Sequence, residues 1–386
     1  MMVLRWNTLA LHLLKTTHAG PPQASRTMAM VHAAIYDAIN AIDRTHRIYK
    51  IRLAAAPYAS IEAACATAAH TVLVWLYSEH AEMLDGTLKD SLAVLPDDQT
   101  RADGITIGVH AGKAIIQWRK DDHADDVVSY QPRNRRGAWR PTPPDYAPAQ
   151  APQWARVRPF ALHNSAQFRS AGPPLLGDPE YGVAFYKTKH LGAKQSPMRT
   201  EEQTDIAHCW ADGAGTVILW NMIAQQVVTS RQVSLVDSAR ILALLNITLA
   251  DAVISAWDDK YHFNLWRPIT AIREAESNGN ALTETDPAWE PLRVTTPEPE
   301  HTSAHSTVSG AAARILALFF DDDHIPFTVT SVKPPDIHRA FGSFSVAARE
   351  ASDSRIYAGL HFAFSTNTGL EKGRRIAEYI WQREMR

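Results

Sequence analysis

Three short polar runs interrupt the apolar pattern in the second half of the chain, and their residue types converge on one kind of chemistry. The first is Lys260-Tyr-His-Phe-Asn-Leu-Trp-Arg267-Pro268. Seven residues make about two helical turns, which puts Lys260 and Arg267 on one face roughly 10 Å apart. Pro268 disfavours helix at Arg267 and would swing that side chain inward at a helix end. Alone, the run reads equally as a solvated basic helix terminus, favoured by the helix dipole. The second run is His301-Thr-Ser303-Ala304-His305-Ser306, directly before the apolar stretch Ala311–Phe320. Ser303 has the chemistry of an N-cap, so the N–H groups of 304–306 would form an anion site with a hydroxyl and an imidazole beside it; alone, this is plain capping. The third is Ser354-Arg355-Ile-Tyr-Ala-Gly-Leu-His361, which alone says little. Together they supply two arginines, a lysine, a serine, a helix N-terminus and two histidines. Such a set describes an oxyanion cage with a nucleophile or ligand and a proton carrier. Arg forks match tetrahedral oxyanions bidentately, while Lys supplies a mobile point charge.

The elements that would hold these groups are helices. In the first half, Ala24–Ile42 and Ile61–Tyr77 carry apolar residues at helical spacing, and weaker helices follow at about 80–94 and 98–120. With short connections these four form one bundle. In the second half, Thr200-x-x-Gln203 is a capping box before Ile206, Cys209 and Trp210, interrupted by Gly213 and Gly215; another helix runs to about Ser230. Ser234-x-x-Asp237 opens the longest helix, through Ile241, Leu245, Leu249 and Val253 to Trp257. Further helices are expected at 269–276, 305–320, 336–351 and 370–385. Sustained strand alternation and fixed-period repeats are not evident, so the expected class is all-α, with two helical bundles. Eleven of the 23 prolines fall between Pro132 and Pro197, a density incompatible with long helices. The expected division is a helical bundle at 1–130, a Pro-rich irregular excursion at 131–199, and a second bundle with the site at 200–386.

Composition bounds the partners. The 386 residues are 45% hydrophobic with formal net charge −2, enough for a large core and too little positive charge for nucleic-acid binding. Cys65 and Cys209 cannot form a disulfide framework or a cysteine-based zinc site, and both sit in helical segments as small core residues. Apolar runs fall short of the roughly 18 residues of a membrane span, and the start of the chain, broken by His12 and Lys15, is too polar for a signal core. The expectation is a soluble chain without a membrane span, its compartment left open: cytoplasmic as given, secreted or periplasmic if a signal preceded it. His32, His70 and His110 read as packed or solvated helix residues rather than ligands. Asp321-Asp-Asp-His324 reads as a solvated turn. Arg133, Arg135, Arg136 and Arg140 either rim a substrate entrance or keep the excursion soluble.

The three runs resemble the tripartite signature K-x6-R-P, P-S-G-H and S-R-x5-H shared by vanadium-dependent haloperoxidases and the type 2 phosphatidic acid phosphatase superfamily. Here it stands as Lys260-x6-Arg267-Pro268, Ser303-Ala304-His305 and Ser354-Arg355-x5-His361. The stretch Ser25-Arg26 to Asn40, with His32, Tyr36 and Asp37, resembles the first helix of bacterial haloperoxidase-like members, and Thr200 to Asp212 resembles their mid-chain helix. The resemblance implies that Lys260, Arg267 and Arg355 bind the equatorial oxygens of vanadate or phosphate, joined by Ser303 and the Ala304 N–H. His361 would coordinate vanadium axially, or attack phosphorus in a phosphatase, and His305 would handle the proton on the opposite side. Lys260 would also polarise bound peroxide. Asp212 would pair with one of the arginines.

Two positions depart from the pattern. The motif glycine is Ala304, preceded by Thr302 rather than proline. Five residues before Ser303, where halide-competent relatives often place an aromatic or histidine, stands Glu298, whose carboxylate would repel halide at low effective dielectric unless protonated or turned away. Trp257, three residues before Lys260, matches an aromatic of some haloperoxidases and reads equally as a core residue. The resemblance thus implies a vanadate-dependent haloperoxidase taking hydrogen peroxide, a halide and a small organic acceptor. The alternatives are an acid phosphatase acting on phosphate monoesters through a phosphohistidine, and a non-catalytic oxyanion-binding helical protein. Helical surfaces of this kind commonly pair, and a homodimer stays open.

Overall fold

The computed structural model describes residues 1–133, 135–211, 215–331 and 336–386. The protein is 59% helix and 3% strand, with 13 α-helices among the described residues. The first group is α1 (Met2–Thr16), α2 (Pro21–Asp43), α3 (Ile61–Leu76), α4 (Ala81–Ala93) and α5 (Gln99–Arg119). After an irregular stretch come α6 (Pro179–Leu191), α7 (Glu201–Cys209), α8 (Gly215–Ser230), α9 (Leu235–Phe263), α10 (Pro268–Arg273), α11 (Ala304–Phe320), α12 (Phe344–Tyr357) and α13 (Ala363–Trp381). Their starts follow local chemistry. Ser60, Asp98, Ser234, Ser303 and Ser343 accept from first-turn N–H groups, and Thr200 with Gln203 closes a full capping box. Pro21, Pro179 and Pro268 open α2, α6 and α10, where their missing N–H is no loss.

Helix α9 is the axis of the molecule. It packs against α2 on one side and against α8, α11 and α13 on the other, so one continuous apolar core reaches from α1 to α13. By length and composition α9 could cross a bilayer, which the sequence reading did not anticipate, yet 94% of its most apolar window is buried inside the protein. Helix α11 in turn lies close against α13. A methyl group on Gly373 would strike the Thr307 carbonyl oxygen, and one on Gly369 would come within 2.8 Å of the Ser303 carbonyl. These two glycines fix where the N-terminus of α11 sits.

Four expectations need correction. Helix α1 was not anticipated, although Val3, Trp6, Ala10, Leu13 and Leu14 are buried at helical spacing. Residues 336–351 do not form one helix: an antiparallel hairpin pairs β1 (Phe327–Thr330) with β2 (His338–Phe341), and α12 starts only at Phe344, after the Ser343 cap. In β1 the apolar Phe327 and Val329 alternate with threonines and point inward, a period-two pattern too short to stand out. The last helix starts seven residues earlier than expected, at Ala363. Within the Pro-rich stretch, α6 is longer than its composition suggested, with Pro179 at its first position.

Both cysteines are buried and unpaired by disulfide. His32 is buried against Asn7 Oδ1 at 2.9 Å, and burial lowers its pKa to about 3, so it is a neutral packed residue.

Candidate active site

The three polar runs converge on one cavity of about 400 Å³. Glu298, Ala304, His305, Arg355, His361 and Trp257 line it. Lys260, Arg267 and Ser303 are fully buried directly behind these residues. The opposite wall comes from the first half: Leu14, Lys15 and His18 at the end of α1, with Gly20 and Pro21 at the start of α2.

Lys260 and Arg267 do not share a helical face as their spacing suggests. Helix α9 stops at Phe263, Asn264 adopts φ 56° as its left-handed cap, and Arg267 is the extended N-cap of α10, as Pro268 requires. The chain turn still brings both cations to one segment, 296–300. Lys260 Nζ donates to the Pro299 carbonyl at 2.7 Å and lies 3.9 Å from Glu298 Oε1. Its aromatic neighbour Trp257 is buried, with the ammonium 5.9 Å from the ring centre. Arg267 Nε donates to the Glu298 carbonyl at 2.8 Å, and Nη2 to Glu298 Oε1 at 2.7 Å and to Thr296 Oγ1 at 2.8 Å. Glu298 is therefore neither exposed nor turned away: backbone and side chain both clamp the arginine. Burial, followed by the Arg267 charge, pulls the Lys260 pKa downward, against the carboxylates of Glu298 and Glu300.

His361 is held by two groups whose roles fix its tautomer. Arg267 Nη1, which can only donate, lies 3.1 Å from Nε2, so Nε2 must be the acceptor. The proton then sits on Nδ1, which donates to Glu300 Oε1 at 2.9 Å. The same Oε1 accepts from the Phe362 N–H at 2.9 Å. Burial, then the charges of Arg267, Lys260 and Arg355, drives the His361 pKa well below its ordinary value and keeps the ring neutral. Burial pushes Glu300 upward, opposed first by the Phe362 hydrogen bond and then by Arg267 and Lys260. Glu300 was missed by the sequence reading; its signal was the alternation Pro297-Glu298-Pro299-Glu300 directly before the histidine-serine run. Thr296 and the α1–α2 corner were missed as well, the latter because nothing local in the sequence ties it to the distant runs.

Ser303 caps α11 as expected. Its Oγ accepts from the Ser306 N–H at 3.4 Å and the Ser306 hydroxyl at 3.0 Å, and in both bonds its own proton stays available to donate. Ala304 and His305, the first residues of α11, present the helix N-terminus to the cavity. Arg355, in the last turn of α12, is anchored by Nη1 donating to the Trp210 carbonyl at 3.0 Å. Asp212, expected to pair with an arginine, lies outside the described residues. His301 is buried and neutral, its pKa lowered to about 3 first by burial and then by Lys372 and Lys260; its Nε2 lies 3.0 Å from Ser170 Oγ.

The set can bind a tetrahedral oxyanion: cationic donors, a capped helix N-terminus and a neutral histidine with a lone pair on Nε2. Among the described residues, no group of three or more His, Cys, Asp or Glu is placed to hold a metal cation. Outside the site, Arg140 pairs with Glu274, and the Asp321 turn ends α11 in the left-handed region.

Fold and site together define a helical oxyanion-cage protein built on the second-bundle motifs. Residues 240–386 match the family described as the VCPO second helical-bundle domain. The second bundle thus carries that family's domain, and the chain as a whole is similar to vanadium haloperoxidases. A curated relative, the vanadium chloroperoxidase of Curvularia inaequalis, is 24% identical over 83% of this chain, which spans 65% of that relative's length. The solved structure of a bacterial vanadium-dependent iodoperoxidase superposes with a TM-score of 0.85 and 25% identity, covering 100% of this chain and 96% of its own. A holo-type bacterial vanadium-dependent chloroperoxidase shares the fold with a TM-score of 0.76 at 18% identity, over 94% of this chain and 92% of its own.

Proposed function

We propose that the protein is a vanadate-dependent haloperoxidase that uses hydrogen peroxide to oxidise halide to a hypohalous-acid equivalent, which then halogenates a small organic acceptor. The observation that carries this reading is His361: its Nδ1 proton is committed to Glu300, so the lone pair of Nε2 faces the cationic cluster. That is the atom and charge state a histidine needs to coordinate an oxyanion's central atom. The donor set around it fits vanadate, and the likeness to a bacterial iodoperoxidase over the whole chain supports the same choice. Bound vanadate would supply Lewis acidity toward peroxide.

The protein's own groups then have separate tasks. Lys260, Arg267 and Arg355, with Ser303 and the Ala304 N–H, would hold the oxyanion by its oxygens and neutralise its charge. His305, at the N-terminus of α11 and on the cavity wall, would take or give a proton of the bound oxyanion. Lys260 would polarise a bound oxygen, its ammonium lying 5.9 Å from the ring centre of Trp257 on the cavity wall. The apolar part of the wall, Leu14, Val217, Ile218, Val253 and Val308, suits a small organic acceptor.

Phosphomonoester hydrolysis through His361 is the second reading, and Glu298 favours it. A carboxylate on the cavity wall repels a free halide, whereas a phosphate ester brings its own contacts to the arginines. Both readings are tested together. The vanadate-loaded protein should halogenate a dimedone-type acceptor with peroxide and iodide, the most easily oxidised common halide, and should show little turnover of p-nitrophenyl phosphate. Phosphatase turnover without halide- and peroxide-dependent product would reverse the order.

A further inference from the structure

Glu298 carries a consequence that goes beyond vanadate binding and rests on the oxyanion reading of this site. Its Oε1 is fully committed, accepting from Arg267 Nη2 at 2.7 Å and from the Thr296 hydroxyl at 2.8 Å, with Lys260 Nζ 3.9 Å away. Its Oε2 is buried and has no hydrogen-bond donor among the described residues. The residue is only 6% exposed and lines the same cavity as Arg355, His361, Ala304 and His305. A buried carboxylate oxygen without a donor is a costly arrangement, and a ligand that brings a donor relieves it.

We infer that Glu298 selects oxyanions that carry a hydroxyl group: hydrogen phosphate, protonated vanadate, or the acid form of a monoester. An oxyanion hydroxyl can donate to Oε2, converting the missing bond into a charge-assisted one. A fully deprotonated oxyanion of the same size and charge has only acceptor oxygens and meets Oε2 with lone pair against lone pair and charge against charge. The cations draw in any tetrahedral anion; the carboxylate decides among them by the one proton they carry or lack. Thr296 and Arg267 hold the carboxylate by Oε1 and leave Oε2 as its uncommitted acceptor.

Calorimetric titration of the protein with inorganic phosphate, orthovanadate, sulfate and monofluorophosphate at slightly alkaline pH tests this directly. Sulfate and the monofluorophosphate dianion match hydrogen phosphate in charge and shape but lack its hydroxyl. The unmodified protein should bind phosphate and vanadate at least about tenfold more tightly than either, a gap of about 1.4 kcal/mol. In Glu298→Gln the side-chain amide can donate to an acceptor oxygen, and the preference should shrink to about twofold or less. Sulfate or monofluorophosphate binding within about twofold of phosphate in the unmodified protein would overturn the inference. So would a Glu298→Gln variant that keeps the full preference. If that variant fails to fold, the four-ligand comparison on the unmodified protein decides alone. Should neither phosphate nor vanadate bind to the unmodified protein, the oxyanion reading of the site falls first, and the selection rule with it.

Discussion

Buried carboxylates away from the site and those at it have similar surroundings and opposite bookkeeping. Asp37 accepts from the N–H groups of Tyr49, Lys50 and Ile51, and Asp251 from those of Phe160, Ala161 and Leu162. Asp122 spends both oxygens on Arg26, Arg119 and the Ala124 N–H. In all three, every oxygen has a donor. Glu298 and Glu300, equally buried, each leave one oxygen without a donor among the described residues. The difference separates two uses of a buried charge: a saturated carboxylate ties irregular chain to helices, whereas Glu298 and Glu300 each use one oxygen to hold Arg267 or His361.

The contrast can be broken by experiment. Its largest expected effect is at the site: His361→Ala should lower activity by about a thousandfold or more while the thermal midpoint moves little, checked by steady-state kinetics beside a melting curve. Retained turnover would remove His361 from the shared core of both functional readings. Next comes the saturated class. Asp251→Ala orphans three N–H groups of the 160–162 segment and should cost on the order of 3–5 kcal/mol in urea unfolding. Glu300→Gln keeps an acceptor for His361 Nδ1 and the Phe362 N–H but loses the charge. It should reduce oxyanion affinity or turnover about 10–100-fold with stability unchanged or slightly raised. If Glu300→Gln unfolded the protein as Asp251→Ala does, the distinction between the two classes would not hold.

The last effect concerns acid and develops gradually with pH. His32 has a folded pKa near 3 against an ordinary 6.5, caused by burial. Between these values the unfolded chain binds more protons than the folded one, so this group's contribution is present above pH 6.5 and is lost as pH falls toward 3. His301, at the site, is lowered to about 3 as well and acts with the same sign. His32→Gln should therefore flatten the pH dependence of unfolding between 3 and 6.5 by about one proton, or about 1.4 kcal/mol per pH unit, seen in urea titrations across that range. Here the two regions should behave alike, which sharpens the claim that only their carboxylates differ.

How legible all this was depended on how local the signal is. Ser303, Ser234 and the Thr200–Gln203 box announce helix starts because an N-cap is a three-residue interaction. Lys260, Arg267, Arg355 and His361 were legible because their spacing survives in the sequence even though α9 and α10 break between the first two. Glu298 was found by its distance from Ser303, but its clamp on Arg267 was not, since a carboxylate between two prolines can face either way. Glu300 was passed over beside it. The hairpin was lost because β1 and β2 are four residues each, shorter than a pattern needs. The role of α1 was invisible for another reason: its contact with the site spans some 290 residues of sequence and exists only after α2 has packed on α9.

That remote wall has a practical side. The proposed oxyanion-binding groups all come from residues beyond 250, but the cavity is also lined by a helix corner that includes Lys15, His18 and Gly20. The two parts can therefore change independently. An evolving or engineered lineage could recontour the corner to admit bulkier or differently charged acceptors while leaving every donor around the oxyanion untouched, much as a lock is rekeyed by changing its pins and not its bolt.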